Sequence, residues 1–227
     1  MKMRLLHFPL SPFGRKIRLA LFEKEVLAQV EPVAPWEMDG DLTARNPADT
    51  LPVLEVIGDD GAETCICPSS AITEYLEEMG QGAPLWPLDP TARAEARRIT
   101  AWFDEKFHRE VTELVLYEKV HKRLKRQGHP DTARMRAGLH NMRIHLDYVS
   151  YLADRRKWLA GDMLSYADLA AVGHLSCIDY CGDIPWDDYP SAKDWYSRLK
   201  SRPSFRSLLA DRVGGMPPAD HYANLDF

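Results

Sequence analysis

The spacing of apolar residues changes once along the chain, near residue 82. Before that point, short apolar runs predict strands at 4–8, 28–33, 51–56 and 63–67, and helical spacing predicts helices over 12–24 and 69–79. Beyond it, helical spacing predicts the segments 91–126, 131–155, 191–200 and 203–211, with another helix beginning at 165. This order predicts an α+β protein, with a small mixed-sheet domain over 1–82 and an all-helical domain over 83–227 that ends in an extended tail.

Clusters of glycine and proline separate these elements. The segment 80–87 contains two glycines and two prolines, which is typical of a linker. The run 58–61 predicts a hairpin turn. The segment 32–40 predicts an exposed connection, because its prolines cannot donate to a ladder, and this places Trp36 in a loop.

One helix start carries a strong local signal. Ser165 is a good N-cap residue, and Asp168 three positions later can accept from the N–H of Ser165, which forms a capping box. Leu164 and Leu169 on either side complete a hydrophobic staple. We expect this motif to direct folding, since a capping box performs no chemistry on a substrate.

Charge and composition exclude several classes of function. The chain of 227 residues has a net charge of −5, which gives no general case for nucleic-acid binding. No apolar run approaches the roughly 20 residues that span a bilayer, and the first residues lack a signal-peptide core, so we expect a cytoplasmic protein with no membrane insertion. The four cysteines are interpreted as packing residues, and no metal site is expected.

The string 161–169, which includes Ser165 and Asp168, resembles the folding signature of glutathione S-transferase-like proteins. This resemblance implies a thioredoxin-like domain followed by the helical domain of that family. It also places Leu51-Pro52 where the family has its cis-proline, with the Leu51 backbone turned toward a peptide-like ligand.

The resemblance further implies the residues of a glutathione site. Ser11 occupies the turn where the family stabilises the glutathione thiolate, and a helix N-terminus favours an anion there. The alternative is that Ser11 only caps its helix. Ser69 corresponds to the serine that holds the γ-glutamyl end, but Pro68 replaces the acidic or amide residue that accepts from the ligand's ammonium.

We therefore expect a vestigial glutathione site formed by Ser11, Leu51, Pro52 and Ser69, with no catalytic residue and no cofactor. The alternative is a glutathione-dependent transferase or isomerase that uses Ser11.

Several segments resemble the FzlA-type branch of the superfamily, whose members bind the tubulin-like division protein FtsZ in alphaproteobacteria. They are 9–16, 36–37, 195–206 and the aromatic-acidic ending 221–227. The resemblance implies a homodimer at the division site that binds the FtsZ polymer and curves or organises its filaments during constriction, with no required catalysis. An adaptor of the same fold with a different partner is a further alternative.

Five residues are candidates for contact with the partner. Trp36 has little helix or strand nearby to cover it, and exposed aromatic residues are frequent binding anchors; alternatively, it folds back on the helical domain. Tyr222, Leu225 and Phe227 put apolar groups on the tail, where we favour contact with a partner over docking on the chain's own fold. Lys119 begins a basic run over 119–126, which either forms a solvated helix end or steers an acidic partner such as FtsZ.

Overall fold

The structure, a computed structural model, describes residues 1–38 and 40–225. Its sheet has the strand order β2-β1-β3-β4, formed by β1 (Lys2–His7), β2 (Gln29–Pro32), β3 (Val53–Ile57) and β4 (Glu63–Ile66). β1 pairs parallel with β2 and antiparallel with β3, and β3 pairs antiparallel with β4. The parallel pair requires a crossover connection, which contains α1 (Pro12–Glu23). The predicted mixed sheet is confirmed.

Two further helices complete this domain, α2 (Gly40–Arg45) and α3 (Ser69–Glu78). The sequence pattern does not predict α2, because a helix of 6 residues with one buried position is too short to show a period. The Leu51–Pro52 bond is cis, as the family resemblance implies, and so is the Cys67–Pro68 bond, which we did not predict.

The helical domain begins with helical structure that runs without a break over 90–124. Its parts are α4 (Pro90–Ala101), a π-helical segment (Trp102–Thr112), α5 (Glu113–Leu116), a second π-helical segment (Tyr117–His121) and α6 (Lys122–Leu124). The apolar spacing predicts a helix here but gives no sign of the wider π-helical turns. Such turns are rare and are frequently found at functional sites.

The remaining α-helices are α7 (Thr132–Ala153), α8 (Tyr166–Tyr180), α9 (Pro190–Lys200) and α10 (Arg206–Leu209). Every residue of α8 is buried, as expected for a helix that is apolar on all sides. α8 is therefore the centre of the core, and α1 packs directly on it. Among the described residues, no helix is both long enough and apolar enough to cross a membrane.

Asp168, in the predicted capping box at the start of α8, makes hydrogen bonds beyond those of the capping box. The Asp168 carboxylate accepts from the N–H of Ser165 at 3.1 Å, as predicted. It also accepts from the N–H of Leu159 at 2.9 Å and from the indole N–H of Trp195 at 3.0 Å. Burial raises the pKa of Asp168 above its ordinary value, although these donors stabilise the charged form. One buried carboxylate thus joins the preceding loop, α8 and α9.

The two domains approach each other closely where α1 crosses α8. A Cβ atom added to Gly173 would lie 2.6 Å from the carbonyl oxygen of Pro12, so only glycine fits there without displacing backbone. Lys16 on α1 forms a buried ion pair with Asp104 of the helical domain. The mixed-sheet and helical domains therefore share one continuous core.

Candidate functional site

A cavity of about 330 Å³ lies between the two domains. One wall is formed by the turn between β1 and α1 and by the loop before β3, and the other by the π-helical segments. Residues that line it include Phe8, Ser11, Leu51, His108, Thr112 and His121. We call this cavity the interdomain cleft.

Ser11 lies in the cleft as the N-cap of α1. Its hydroxyl oxygen accepts from the N–H of Gly14 at 3.2 Å, so the capping role is present. A hydroxyl that accepts one bond can still donate its proton to a ligand. The geometry of Ser11 is therefore compatible with both interpretations of this residue.

The charge of the cleft lining bears on how a thiolate would be held there. Among the described residues that line it, none is lysine or arginine, whereas Asp49 and Glu113 contribute carboxylates. Burial lowers the pKa of His108 and of His121, so both imidazoles are neutral at pH 7. A thiolate placed at Ser11 would meet no positive side chain in this cavity.

Ser69 does not share the cleft with Ser11. It lines a second cavity of about 580 Å³, together with Pro68, Lys16 and Arg97, and it is nearly enclosed at 6% exposure. Phe13 lines both cavities. The structure thus brings Ser11 and Leu51 together but places Ser69 in a neighbouring space, with Pro68 at the N-cap of α3 offering no side-chain acceptor.

A buried polar cluster lies behind Phe13, and the sequence pattern did not reveal it. The ring of Phe13 packs edge-on against His108 and His174, with centroids 4.9 and 5.4 Å apart. His174 Nδ1 lies 2.8 Å from the Thr112 hydroxyl. Burial lowers the pKa of His174 to about 4, so this ring is neutral at pH 7.

Trp36 lies beside the cleft and is half-buried. Its ring packs edge-on against Phe8 of the sheet domain at 5.6 Å and His121 of the helical domain at 6.0 Å. Lys125 places its ammonium 5.4 Å from the same ring. Trp36 therefore combines features of both predictions: it folds back on the helical domain, and part of it stays accessible.

Lys119 forms an ion pair within this chain. Its ammonium donates to both oxygens of Asp183, at 2.5 and 2.6 Å. Its side chain remains about one quarter exposed, at 27%. The rest of the basic run contains Arg123 and Arg126, which are exposed.

The prediction that Tyr222 contacts a partner is wrong, because this side chain is 0% exposed. Its hydroxyl accepts from Arg15 at 3.1 Å and donates to the carbonyl of Leu208 at 3.2 Å. Arg15 is itself fully buried and also donates to Asp211 at 3.1 Å. A buried guanidinium needs such partners, and the tail supplies one.

The other two tail residues differ from Tyr222. Leu225 is 42% exposed and is available for contact. Phe227, the last predicted contact residue, lies outside the described residues. Within those residues, no group of three or more His, Cys, Asp or Glu side chains is placed to hold a metal ion.

Comparison with known proteins identifies relatives of this architecture. The family model for the N-terminal domain of glutathione S-transferase matches residues 10–79, and the model for the C-terminal domain matches 131–203. FtsZ-localized protein A of Caulobacter vibrioides is 49% identical over 221 residues, which cover 97% of this chain and 96% of that protein.

Solved structures agree with the sequence comparison. FzlA from C. crescentus superposes with a TM-score of 0.96 at 48% identity, covering 100% of both chains. A glutathione S-transferase from Rhodospirillum rubrum superposes with a TM-score of 0.94 at 48% identity, covering 99% of this chain and 100% of that one.

Proposed function

Because this chain belongs to the glutathione S-transferase family, we propose that it uses that fold to bind FtsZ rather than to transform glutathione. The relative named FtsZ-localized protein A is similar over nearly the whole chain, which supports an FtsZ-associated role. In this proposal the protein is a cytoplasmic homodimer at the division site, needs no cofactor, and curves or organises FtsZ filaments.

The observation that carries the non-catalytic half of the proposal is the charge of the interdomain cleft. Glutathione brings a thiol and two carboxylates, and its thiolate form requires compensation by positive groups or donors. The cleft offers Ser11 as a donor, but its described lining holds carboxylates and neutral imidazoles in place of cations. In the neighbouring cavity, Pro68 offers no side-chain acceptor for the ammonium of glutathione. A charge-assisted hydrogen bond of that kind contributes roughly 1.5–3 kcal/mol to binding.

The surface beside the cleft supports the binding half. Trp36 presents part of a large apolar ring, and Lys125 adds a positive charge next to it. Tryptophan is enriched among the residues that dominate binding in protein interfaces, and a nearby positive charge attracts an acidic partner. We assign FtsZ contact to this surface, with Leu225 and Phe227 of the tail as further candidates.

Co-sedimentation with polymerised FtsZ tests the proposal. The unmodified protein is expected to pellet with FtsZ at about micromolar concentration, and Trp36→Ala to weaken this binding about tenfold or more, since an anchor residue contributes about 2 kcal/mol. Trp36→Ala also removes the packing of this ring on Phe8 and His121, so we expect the melting temperature of the variant to fall by a few degrees.

The matched control is Tyr151→Ala, which removes another exposed aromatic ring, on α7, 52% exposed. This variant should pellet like the unmodified protein. If neither the unmodified protein nor the control pellets with FtsZ, the proposal fails.

A glutathione-dependent enzyme is the second candidate, favoured by Ser11 and the cis Leu51–Pro52 bond in one cleft. Calorimetry with glutathione at about 5 mM decides between the two, because millimolar binding corresponds to only about −4 kcal/mol. We expect no saturable binding. Binding that disappears in Ser11→Asn, a variant that keeps a capping side chain but lacks the hydroxyl, would favour the enzyme.

A further inference from the structure

A cavity of about 630 Å³ lies at the end of the long helical segment, apart from the interdomain cleft. Four basic residues contribute to its lining: Lys119, Lys122, Arg123 and Arg126. Its other side is formed by the apolar groups of Met135, Tyr180, Met216 and Pro217. We call this cavity the basic pocket.

Two of its cations are already compensated, and two are not. Lys119 is paired with Asp183, and Lys122 with the buried carboxylate of Glu118 at 2.5 Å. Arg123 and Arg126 are exposed, and within residues 1–38 and 40–225 neither has an ion pair or a side-chain hydrogen bond. The pocket therefore keeps an excess of positive charge in a chain whose net charge is −5.

The backbone at Arg126 is a second, independent observation. This residue adopts φ of 54°, the left-handed conformation that glycine normally supplies after a helix. Arginine is less stable than glycine in that conformation. Arg126 lines the cavity from this position, just after the end of α6.

The apolar wall is held in place by its own hydrogen bonds. The Tyr180 hydroxyl donates to the carbonyl of Met216 at 2.6 Å and accepts from the N–H of Val213 at 3.2 Å. The carbonyl of Tyr180 accepts from the N–H of Ala219 at 2.9 Å. The pocket thus exists before any ligand arrives, which lowers the entropic cost of binding.

We propose that the basic pocket binds an acidic peptide segment that also carries apolar side chains. The pocket places Arg123 and Arg126, which have no ion pair among the described residues, beside an apolar wall. This arrangement matches carboxylates spaced along a peptide with leucine-like residues between them. The proposal goes beyond FtsZ binding through Trp36 and does not depend on it.

Fluorescence anisotropy with a labelled decapeptide of alternating Glu and Leu tests this site. We expect saturable binding that falls about tenfold or more in Arg123→Gln/Arg126→Gln, and that also weakens as salt rises from about 50 to about 500 mM. An all-Glu decapeptide should bind at least about tenfold more weakly, because it cannot use the apolar wall.

The matched control is Arg136→Gln/Arg206→Gln, which removes the same charge from exposed arginines on α7 and α10 outside the pocket. Equal binding by the two double variants would overturn the proposal, as would equal binding of the two peptides. Displacement by inorganic phosphate beyond that by chloride at equal ionic strength would also overturn it, in favour of a compact anion. The assay contains no FtsZ, so its failure leaves the co-sedimentation result untouched.

Discussion

Buried polar residues connect parts of this chain that are distant in sequence. The Asp168 carboxylate completes the predicted capping box with Ser165, and it also accepts from the N–H of Leu159 and from the indole N–H of Trp195. Tyr222 was assigned to a partner surface, but it belongs to the core beneath Arg15. The capping box is local and can be read from neighbouring positions, whereas the partners of Tyr222 lie up to 207 residues away.

Two buried histidines, His7 and His174, should make the free energy of unfolding decrease in mild acid. Burial lowers the pKa of His7 to about 3 and of His174 to about 4. The unfolded chain takes up these protons near pH 6.5, so the stability that the neutral rings contribute is complete above about pH 6.5 and is lost as the pH falls toward the folded values. By pH 5 each histidine should lower the free energy of unfolding by about 2 kcal/mol.

Urea unfolding at about pH 7.5 and pH 5 measures this effect. His7→Gln should reduce the difference between the two pH values, whatever it does to stability at pH 7.5. His129→Gln, which alters an exposed histidine, should leave the difference unchanged. An unfolding free energy that does not change between the two pH values would contradict the prediction.

At the scale of elements, α8 and the long helical segment determine where the site lies. The long segment was predicted as a helix from its apolar spacing and the start of α8 from its capping box, but the π-helical turns within 102–121 were not predicted. These turns bring His108, Thr112 and His121 to the cleft. The two π-helical segments span 11 and 5 residues, which are too few turns for apolar spacing to separate a π-helix from an α-helix, so this part of the site could not be predicted.

The contact between α1 and α8 predicts a strong effect of one methyl group. In Gly173→Ala the new Cβ would lie 2.6 Å from the Pro12 carbonyl oxygen and 3.3 Å from the Lys16 nitrogen, and backbone atoms cannot rotate away. We expect a loss of about 1–3 kcal/mol in the free energy of unfolding. Urea denaturation measures the loss.

Gly214→Ala is the control for that variant, because an added Cβ there meets no atom of the described residues within 4 Å. Its stability should stay within about 0.5 kcal/mol of the unmodified protein. Equal losses in the two variants would mean that the close approach of α1 and α8 has no energetic effect.

At the scale of the whole molecule, the two domains are joined by buried polar contacts as well as apolar ones. Lys16 and Arg15 on α1 pair with Asp104 and Asp211 of the helical domain. Leaving such a charge buried without its partner costs about 3–5 kcal/mol. The ion pairs therefore add to the free energy required to separate the two domains. The family resemblance predicted two domains in this order, but not that ion pairs hold them together.

The domains should therefore unfold together. Native-state hydrogen exchange is expected to give the same opening free energy for the slowest amides of β1 and β3 as for those of α8. A lower opening free energy in the sheet domain, by about 2 kcal/mol or more, would show that it opens independently.

Arg15 has a consequence for the order in which the protein is made. Its guanidinium lies near the start of the chain, yet its partners are Ser176, Asp211 and Tyr222. While a ribosome is still adding those later residues, the guanidinium stays in water, because the helix that covers α1 and the partners of Arg15 have not yet been made. The contact between the two domains can therefore close around Arg15 only after these partners have been synthesised.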